Sequence, residues 1–255
     1  MNKIIIANWK ANPATLEEAL ELFDFCAAEV SKYQNIRLII CPPFVYLEEL
    51  AKRLPVGGEG NLRLGSQDLF WEKSGPYTGE ISVDMLKNFG ITHVLAGHSD
   101  RRYKIGESDE IINKKIKAAL DADIVPVLLA GEKNREDNRK AVLEQQLAAD
   151  LVGLTPDQIS KVLITYEPVW AISTQPGSEP DTPENAIEAI QVIKNFLAIS
   201  YKLSAASCLY GGSVNKDNAA DFLKHPEISG AVIGGASLRK EEFAKILETT
   251  NEIHR

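Results

Sequence analysis

Residues 162–172 read V-L-I-T-Y-E-P-V-W-A-I, and they join an apolar run to a carboxylate and a proline. Residues 162–166 are apolar or β-branched over the length of a strand, which is typical of a strand buried on both faces. Glu167 follows at once, and Pro168 neither donates to a sheet ladder nor continues easily into a helix. The sequence therefore predicts a carboxylate at the C-terminal end of a buried strand.

A polar loop, residues 173–182, follows this stretch and is rich in Ser, Pro and Gly. It is too long for a tight turn and too polar for a core. A carboxylate on a rigid strand end beneath a long loop indicates a general base under a lid. The plainer interpretation is a strand-end Glu that caps the next helix, and this stretch taken alone favours that interpretation.

The composition is that of a globular protein, with 255 residues of which 44% are apolar and 25% are charged. This length suits one large α/β domain or two small ones, with a substantial core. The net charge is −8, and acids and bases are interspersed. That balance argues against nucleic acid and anionic membranes as partners. An anionic substrate would have to be held by local dipoles or by a few cations.

The cysteines Cys26, Cys41 and Cys208 are far apart and lie outside any C-x-x-C pair. They predict reduced thiols in a cytoplasmic protein rather than a disulfide or zinc framework. The N-terminal apolar run is too short for a signal peptide, and no later run reaches membrane-spanning length. We therefore expect a cytoplasmic protein without a membrane segment.

Short apolar strands alternate with amphipathic helices along the chain, and no change of composition marks a linker. Eight such units predict a single (β/α)8 barrel domain over residues 1–255, with a closed eight-stranded parallel sheet. No G-x-G-x-x-G follows the first strand, which weighs against an open doubly wound sheet. The predicted strands are residues 3–7, 37–41, 62–66, 93–96, 124–129, 162–166, 207–209 and 231–233. The predicted helices are residues 15–33, 44–54, 82–89, 109–122, 135–152, 183–200, 217–223 and 240–249.

Reactive groups of a barrel gather where its strands end. The first strand is followed by Asn8-Trp9-Lys10, and the fourth by G-H-S-D-R-R, which contains His98. A lone lysine is usually a solvated surface charge, and a lone histidine is more often structural than catalytic. His98, however, follows a glycine at the start of a predicted helical turn, and a helix N-terminus favours a neutral imidazole.

The seventh and eighth strands each end in a pair of glycines, in Y-G-G-S (residues 210–213) and G-G-A-S (residues 234–237). Glycines let backbone N–H groups approach a ligand closely, which suits a phosphate. Tight turns explain most glycine pairs, so either pair alone is weak evidence. Five strand ends that each carry a suitable group favour a functional site.

The motifs N-W-K, G-H-S-x-R-R, Y-E-P-V-W-A-I, Y-G-G-S-V and G-G-A-S-L, in this order over residues 4–238, resemble those of the triosephosphate isomerase family. That family is itself the type example of this barrel and of its acid–base chemistry, so the roles below are carried over from it.

The resemblance implies isomerisation of a triose phosphate through an enediolate, in glycolysis and gluconeogenesis, without a metal or organic cofactor. Glu167 would be the base, neutral His98 would polarise the carbonyl, and Lys10 would stabilise the developing charge. Asn8 would help to place the substrate. The phosphate would rest on backbone N–H groups of Ser173, Ser213, Gly234 and Gly235.

A long loop with three aromatic residues follows the third strand and begins with Asp68 and ends with Glu80. So much apolar surface is unfavourable in water, so we expect the loop to dock, either on its own barrel or on a partner. In the family this loop enters a second subunit, with its threonine, here Thr78, beside the partner's Lys10 site. The resemblance therefore implies a two-fold homodimer.

The chain departs from the family pattern at several positions. Asp100 stands where Glu is usual after G-H-S, and Leu129 stands where a cysteine is usual, which we interpret as neutral packing. The lid usually reads A-I-G-T-G-K-T, whereas Ser173 and Gln175 here replace glycines and Pro176 replaces lysine. The lid, from Ser173 to Asp181, is also longer. These changes leave the far hinge and the closing rate open.

Two other functions remain open at this stage. An altered lid would admit an extra carbon, which would make the chain an isomerase of four-carbon ketose phosphates. A barrel that had lost catalysis would be a non-enzymatic phosphate-binding protein, although the retained Glu167, His98 and Lys10 argue against it.

Overall fold

A computed structural model describes residues 2–54 and 60–253. Its parallel strands pair in chain order and the last pairs with the first, which closes the barrel. The predicted fold class is thereby confirmed. The strands are β1 Lys3–Asn8, β2 Ile36–Cys41, β3 Leu62–Ser66, β4 His93–Ala96, β5 Val125–Ala130, β6 Leu163–Tyr166, β7 Cys208–Tyr210 and β8 Gly230–Ile233.

The helices lie between successive strands and cover the outside of the barrel. Most begin at a Ser, Thr or Asn whose side chain accepts from the first turn, as Thr15 does from the Glu18 N–H and Thr182 from the Asn185 N–H. The helices are α1 Leu16–Val30, α2 Leu47–Ala51, α3 Val83–Asn88, α4 Asp109–Asp121, α5 Arg139–Asp150, α6 Pro156–Ile159, α7 Pro183–Tyr201, α8 Ala219–Leu223 and α9 Lys240–Ile253.

The predicted boundaries of several helices differ from those of the structure, and two helices differ most. The helix predicted at residues 135–152 begins only at Arg139, because Asn138 caps it by accepting from the Ala141 N–H at 3.1 Å. Residues 134–137 form a turn instead, in which the Asp137 carboxylate accepts from the Asn134 N–H. The helix predicted at residues 44–54 consists of a 3₁₀ turn, Phe44–Tyr46, and the short α2. Helix α6, with Pro at its first position, was not predicted.

The apolar core has two parts, as a barrel requires. A small inner cluster fills the barrel, and a larger outer one lies between the strands and the helices. Leu129 belongs to the inner cluster and is buried, which agrees with the packing role expected for it. The inner cluster contains Ile6, Ile39, Cys41, Leu95, Val127, Leu129, Leu209 and Val232.

Candidate active site

A cavity of about 320 Å³ opens at the C-terminal ends of the strands. β1, β4 and β6 contribute polar side chains to it, and the ends of β7 and β8 contribute glycines. The site residues predicted from the sequence all line this one cavity: Asn8, Lys10, His98, Glu167, Ser173, Ser213, Gly234 and Gly235.

Glu167 is held firmly at the end of β6. Its N–H donates to the Ala130 carbonyl at 2.8 Å, and the residue is only 2% exposed. The backbone of Glu167 passes so close to Gly131 that a Cβ there would lie 2.1 Å from the Glu167 carbonyl oxygen. The carboxylate accepts from the Ser99 N–H at 2.8 Å and from the Ser99 hydroxyl at 3.0 Å. The strand end thus presents a buried carboxylate with defined partners, rather than a helix cap.

His98 has a defined tautomer. Its Nδ1 accepts a hydrogen bond from the Asp100 N–H at 3.0 Å. A backbone N–H is always a donor, so Nδ1 carries no proton, and the proton of the neutral ring is on Nε2. Nε2 lies 3.3 Å from Oε1 of Glu167. The imidazole therefore offers a hydrogen-bond donor to the cavity, next to the carboxylate.

Lys10 adopts a left-handed backbone conformation, with φ of 53°, which is uncommon for a residue other than glycine. Two side chains hold this conformation. Oδ1 of Asn8 accepts from the Lys10 N–H at 3.1 Å, and Nε2 of Gln67 donates to the Lys10 carbonyl at 2.7 Å. The strained backbone directs the lysine ammonium into the cavity.

The shorter acid at position 100 still reaches Lys10, since Nζ of Lys10 lies 2.9 Å from Oδ2 of Asp100. Its other oxygen accepts from Lys104 at 2.7 Å. Burial acts to raise the pKa of Asp100, but the hydrogen bonds from Lys104 and Lys10 outweigh it and lower that pKa to about 2. Asp100 is therefore a carboxylate at neutral pH, and it fixes the ammonium of Lys10.

Glycine occupies the ends of β7 and β8 for different physical reasons. A Cβ at Gly212 would lie 2.1 Å from the Tyr210 hydroxyl, so packing requires that glycine. At Gly234 and Gly235 a Cβ would meet nothing closer than Lys10 Cε at 3.6 Å and Arg239 Nη1 at 3.7 Å. Packing leaves room for a side chain at these two positions, and a side chain there would occupy the space next to the Lys10 side chain. The end of β8 is therefore an open backbone surface that suits a phosphate.

Comparison with known proteins shows which family the chain belongs to. The family model for triosephosphate isomerase matches residues 3–250. A triosephosphate isomerase from Endomicrobium trichonymphae is 41% identical over 254 residues, which cover 97% of this chain and 99% of that protein. One from Aquifex aeolicus (strain VF5) is 42% identical over 254 residues, with the same coverage. The chain belongs to the triosephosphate isomerase family. The resemblance drawn from the motifs is confirmed, and the activity class that the family carries is that of an isomerase.

The segment that leads from β6 into the predicted lid, residues 168–170, is its near hinge, and it packs around a buried carboxylate, Glu132. Its Oε1 accepts from the Trp170 indole N–H at 3.0 Å and from the Tyr166 hydroxyl at 2.7 Å. The backbone N–H of Val169 donates to the Glu132 carbonyl at 3.0 Å. Residues 169–171 form a single 3₁₀ turn, which connects β6 to the lid.

The first residues of the lid are attached to the end of β7. The Ser213 hydroxyl donates to the Ala171 carbonyl at 2.8 Å and accepts from the Ser173 N–H at 2.7 Å. The Ser173 N–H, one of the groups expected to bind phosphate, thus donates to the hydroxyl of Ser213, whose own backbone N–H is another such group. Both line the cavity, and the rest of the lid is largely exposed.

The loop at residues 68–80 leaves its tip in solvent. Phe70 is buried, and its ring lies 4.2 Å from that of Trp71 and 4.6 Å from that of Tyr77, centroid to centroid. Residues 72–80, including Thr78, are exposed, and Tyr77 is 41% exposed. The base of the loop therefore packs on its own barrel, and the tip does not.

Several residues that shape the site were not among the predicted site residues. Ser99 binds the Glu167 carboxylate, Gln67 holds the Lys10 backbone, and Glu132 holds the near hinge. Ser99 and Gln67 follow β4 and β3 directly, so the rule that selected Lys10 and His98 also applies to them. Within the described part of the chain, no group of three or more His, Cys, Asp or Glu residues is arranged to bind a metal, and no helix is long and apolar enough to cross a membrane.

Proposed function

We propose that this chain interconverts dihydroxyacetone phosphate and D-glyceraldehyde 3-phosphate by proton transfer through an enediolate, in glycolysis and gluconeogenesis. The observation that carries the proposal is the contact between the Glu167 carboxylate and Nε2 of His98, 3.3 Å apart, in a cavity that also contains the Lys10 side chain. A base and a hydrogen-bond donor at this separation can act on two adjacent atoms of one small substrate.

Glu167 is the base in this proposal. Its carboxylate removes a proton from the carbon next to the carbonyl and returns it to the neighbouring carbon. Both carboxylate oxygens accept from Ser99 in this structure. Substrate binding must therefore turn the side chain away from Ser99, so that an oxygen faces the substrate carbon.

His98 and Lys10 handle the charge that develops on the substrate oxygens. The Nε2–H of His98 donates to the carbonyl oxygen as the adjacent carbon loses its proton. The same nitrogen then moves the proton between the two oxygens of the enediolate. Lys10 supplies a positive charge to the enediolate, and Asp100 and the Asn8 side chain keep Lys10 in place.

The phosphate in this proposal lies on backbone N–H groups of Ser173, Ser213, Gly234 and Gly235. The open surface at Gly234 and Gly235 supports this placement, because no side chain is needed there for packing. An enediol phosphate readily loses its phosphate in water, so a lid that closes over the phosphate also protects the intermediate. The roles assigned here call for no metal or organic cofactor.

We also propose that the active form is a cytoplasmic homodimer. The exposed tip of the loop at residues 68–80 supports this assembly, because it leaves Thr78 in solvent, where it can contact a partner. Thr78 would then reach the partner's Lys10 site and help to order it. The cysteines Cys26, Cys41 and Cys208 are buried and free, which suits a reducing compartment.

A steady-state assay with three-carbon and four-carbon ketose phosphates tests the function. We expect kcat/KM to be highest for the three-carbon substrate. A preference for the four-carbon substrate would instead favour the alternative isomerase. Binding of inorganic phosphate without turnover of either sugar would identify a non-catalytic phosphate-binding barrel.

A further inference from the structure

The far end of the lid carries an anchored carboxylate, Asp181. Its Oδ2 accepts from the Tyr210 hydroxyl at 3.0 Å. Its Oδ1 accepts from Nδ2 of Asn185 at 2.6 Å and from the Thr182 N–H at 2.8 Å. Tyr210 is fully buried in β7, so the last residue of the lid is attached to the barrel itself.

The two ends of the lid are held by equivalent positions on neighbouring strands. Tyr166 of β6 is paired in register with Tyr210 of β7, and both are fully buried. The Tyr166 hydroxyl donates to Glu132, which accepts from Trp170 at the near hinge. The Tyr210 hydroxyl donates to Asp181 at the far hinge. Each hinge is therefore connected to the sheet through one tyrosine and one carboxylate.

Arg139, the first residue of α5, lies between these two carboxylate centres. Its Nη2 donates to Oδ1 of Asn185, the residue that donates to Asp181. Its Nε lies 3.7 Å from Oε1 of Glu132. Neither Arg139 Nε nor Oε2 of Glu132 has a hydrogen-bond partner among the described residues, so the guanidinium can move closer to the carboxylate. Hydrogen bonds and one ion-pair contact, between Arg139 and Glu132, thus connect Trp170 with Tyr210.

We propose that Asp181 is a positioning residue for lid closure: it fixes the far hinge to Tyr210 and, through Asn185 and Arg139, couples it to the near hinge at Glu132. Residues 173–180 then form the segment that must be ordered when the lid closes. The order of a long polar segment is opposed by its conformational entropy, and a fixed far end reduces the number of conformations to be lost. This inference rests on the proposed function, since closure matters only if a phosphate is bound.

The test compares isomerisation of a substrate that carries the phosphate with isomerisation of the same sugar without it. We expect Asp181→Ala to lower kcat/KM for D-glyceraldehyde 3-phosphate at least about tenfold, because it removes the Tyr210 hydrogen bond to a charged group as well as those from Asn185 and Thr182. We expect no change for D-glyceraldehyde, which lacks the phosphate, because binding energy from the phosphate is what drives closure. A purely structural defect would reduce both reactions equally.

Matched variants identify the bond that matters. Tyr210→Phe should lower the same kcat/KM, although by less than Asp181→Ala does, because it removes only the bond between Tyr210 and Asp181. The double variant should be no worse than Asp181→Ala alone, because that change already removes this bond. Asp181→Asn should regain most of the activity, since an amide N–H can donate to the Tyr210 hydroxyl. Glu179→Ala is the control, because it removes another lid carboxylate, whose exposed ion pair with Arg135 should be worth less than twofold.

Calorimetric titration with inorganic phosphate repeats the test without turnover. Phosphate affinity should fall in Asp181→Ala and stay unchanged in Glu179→Ala, with thermal melting used to show that each variant is folded. Equal losses with both substrates, additive losses in the double variant, or unchanged phosphate affinity would overturn the inference. The proposed function can fail separately. If phosphate affinity falls in Asp181→Ala and not in Glu179→Ala, but the unmodified protein isomerises neither substrate, the proposed function fails and the hinge coupling stands.

Discussion

The strand ends and the lid serve the same cavity but are held in place by different means. The backbone of Glu167 is fixed by the sheet, and the backbone of Lys10 is held by contacts from Asn8 and Gln67. The lid, residues 173–181, is largely exposed and is held at its ends through the side chains of Ser213 and Asp181. Chemistry that tolerates little displacement is built on the rigid part of the fold, and closure on the part that can move.

The largest effect is expected at the base, Glu167, which belongs to the rigid part of the site. Glu167→Gln keeps the shape of the side chain but removes its basicity. We expect kcat to fall about 10³-fold while the affinity for inorganic phosphate stays within about twofold, because the lid and the backbone N–H groups proposed to bind phosphate are unchanged. Steady-state kinetics and calorimetry measure the two quantities. Near-normal turnover in this variant would show that another group is the base.

His98→Asn tests whether the imidazole acts in catalysis rather than in phosphate binding. We expect kcat to fall about 10²-fold, with a smaller change in phosphate affinity, because the asparagine cannot both accept from the Asp100 N–H and reach the substrate as Nε2 does. His225→Asn, outside the cavity, is the matched control and should leave kcat unchanged. A larger loss in phosphate affinity than in kcat would assign His98 to binding instead.

The loop at residues 68–80 tests whether the rigid part is complete within one chain. We expect replacement of residues 72–79 by a tight turn to give a folded monomer whose kcat is lower by about 10²-fold, because Lys10 would lose the neighbour that orders it. Sedimentation gives the mass, and kinetics give the rate. Thr78→Ala is a milder companion, which should keep the dimer but lower kcat. A fully active monomer, or a dimer unaffected by the loop change, would place the loop's role within its own barrel.

The contact between Asp100 and Lys10 belongs to the rigid strand-end part of the site. Protonation of the Asp100 carboxylate would break this ion pair, so the stability of the fold depends on pH. The pKa of Asp100 is about 2 in the folded protein, lower than the ordinary value of 3.8. The stabilisation is therefore complete above about pH 4 and is lost as the pH falls towards 2. We expect the melting temperature of the unmodified protein to fall more between pH 4 and 2 than that of Asp100→Asn. Parallel curves for the two proteins would contradict the assignment.

The sequence predicted the strand-end chemistry well because a barrel determines where strand ends go. Once β1, β4 and β6 are placed, Lys10, His98 and Glu167 must face one another. The hinge connection could not be predicted in that way. Asp181 and Tyr210 are 29 residues apart in the chain, and Arg139 and Asn185 are 46 apart, with nothing periodic to relate them. Such contacts depend on loop conformations, which the order of the strands does not determine.

A local signal was nevertheless available for α5. Asn138 is a strong N-cap residue, and Asp137 can form a turn with Asn134, so the helix was bound to begin after them. Apolar periodicity extended the predicted helix too far towards its N-terminus, over residues that favour a turn. The error matters for the site, because the true first residue of α5 is Arg139, which lies between the two hinges.

The smallest effect is expected at Asp100, where the chain has one methylene fewer than the family pattern. The shorter side chain already lies 2.9 Å from Nζ of Lys10, so the pair is made without the longer acid. Asp100→Glu should then change kcat less than about threefold, because the carboxylate is about a quarter exposed and its extra methylene can extend towards solvent. Lys104→Ala, which removes the other cation on Asp100, provides a second small perturbation. A loss above about tenfold in Asp100→Glu would mean that Lys10, the His98 turn and the acid are packed together as tightly as the base itself, and the rigid part of the site would then extend through residues 98–104.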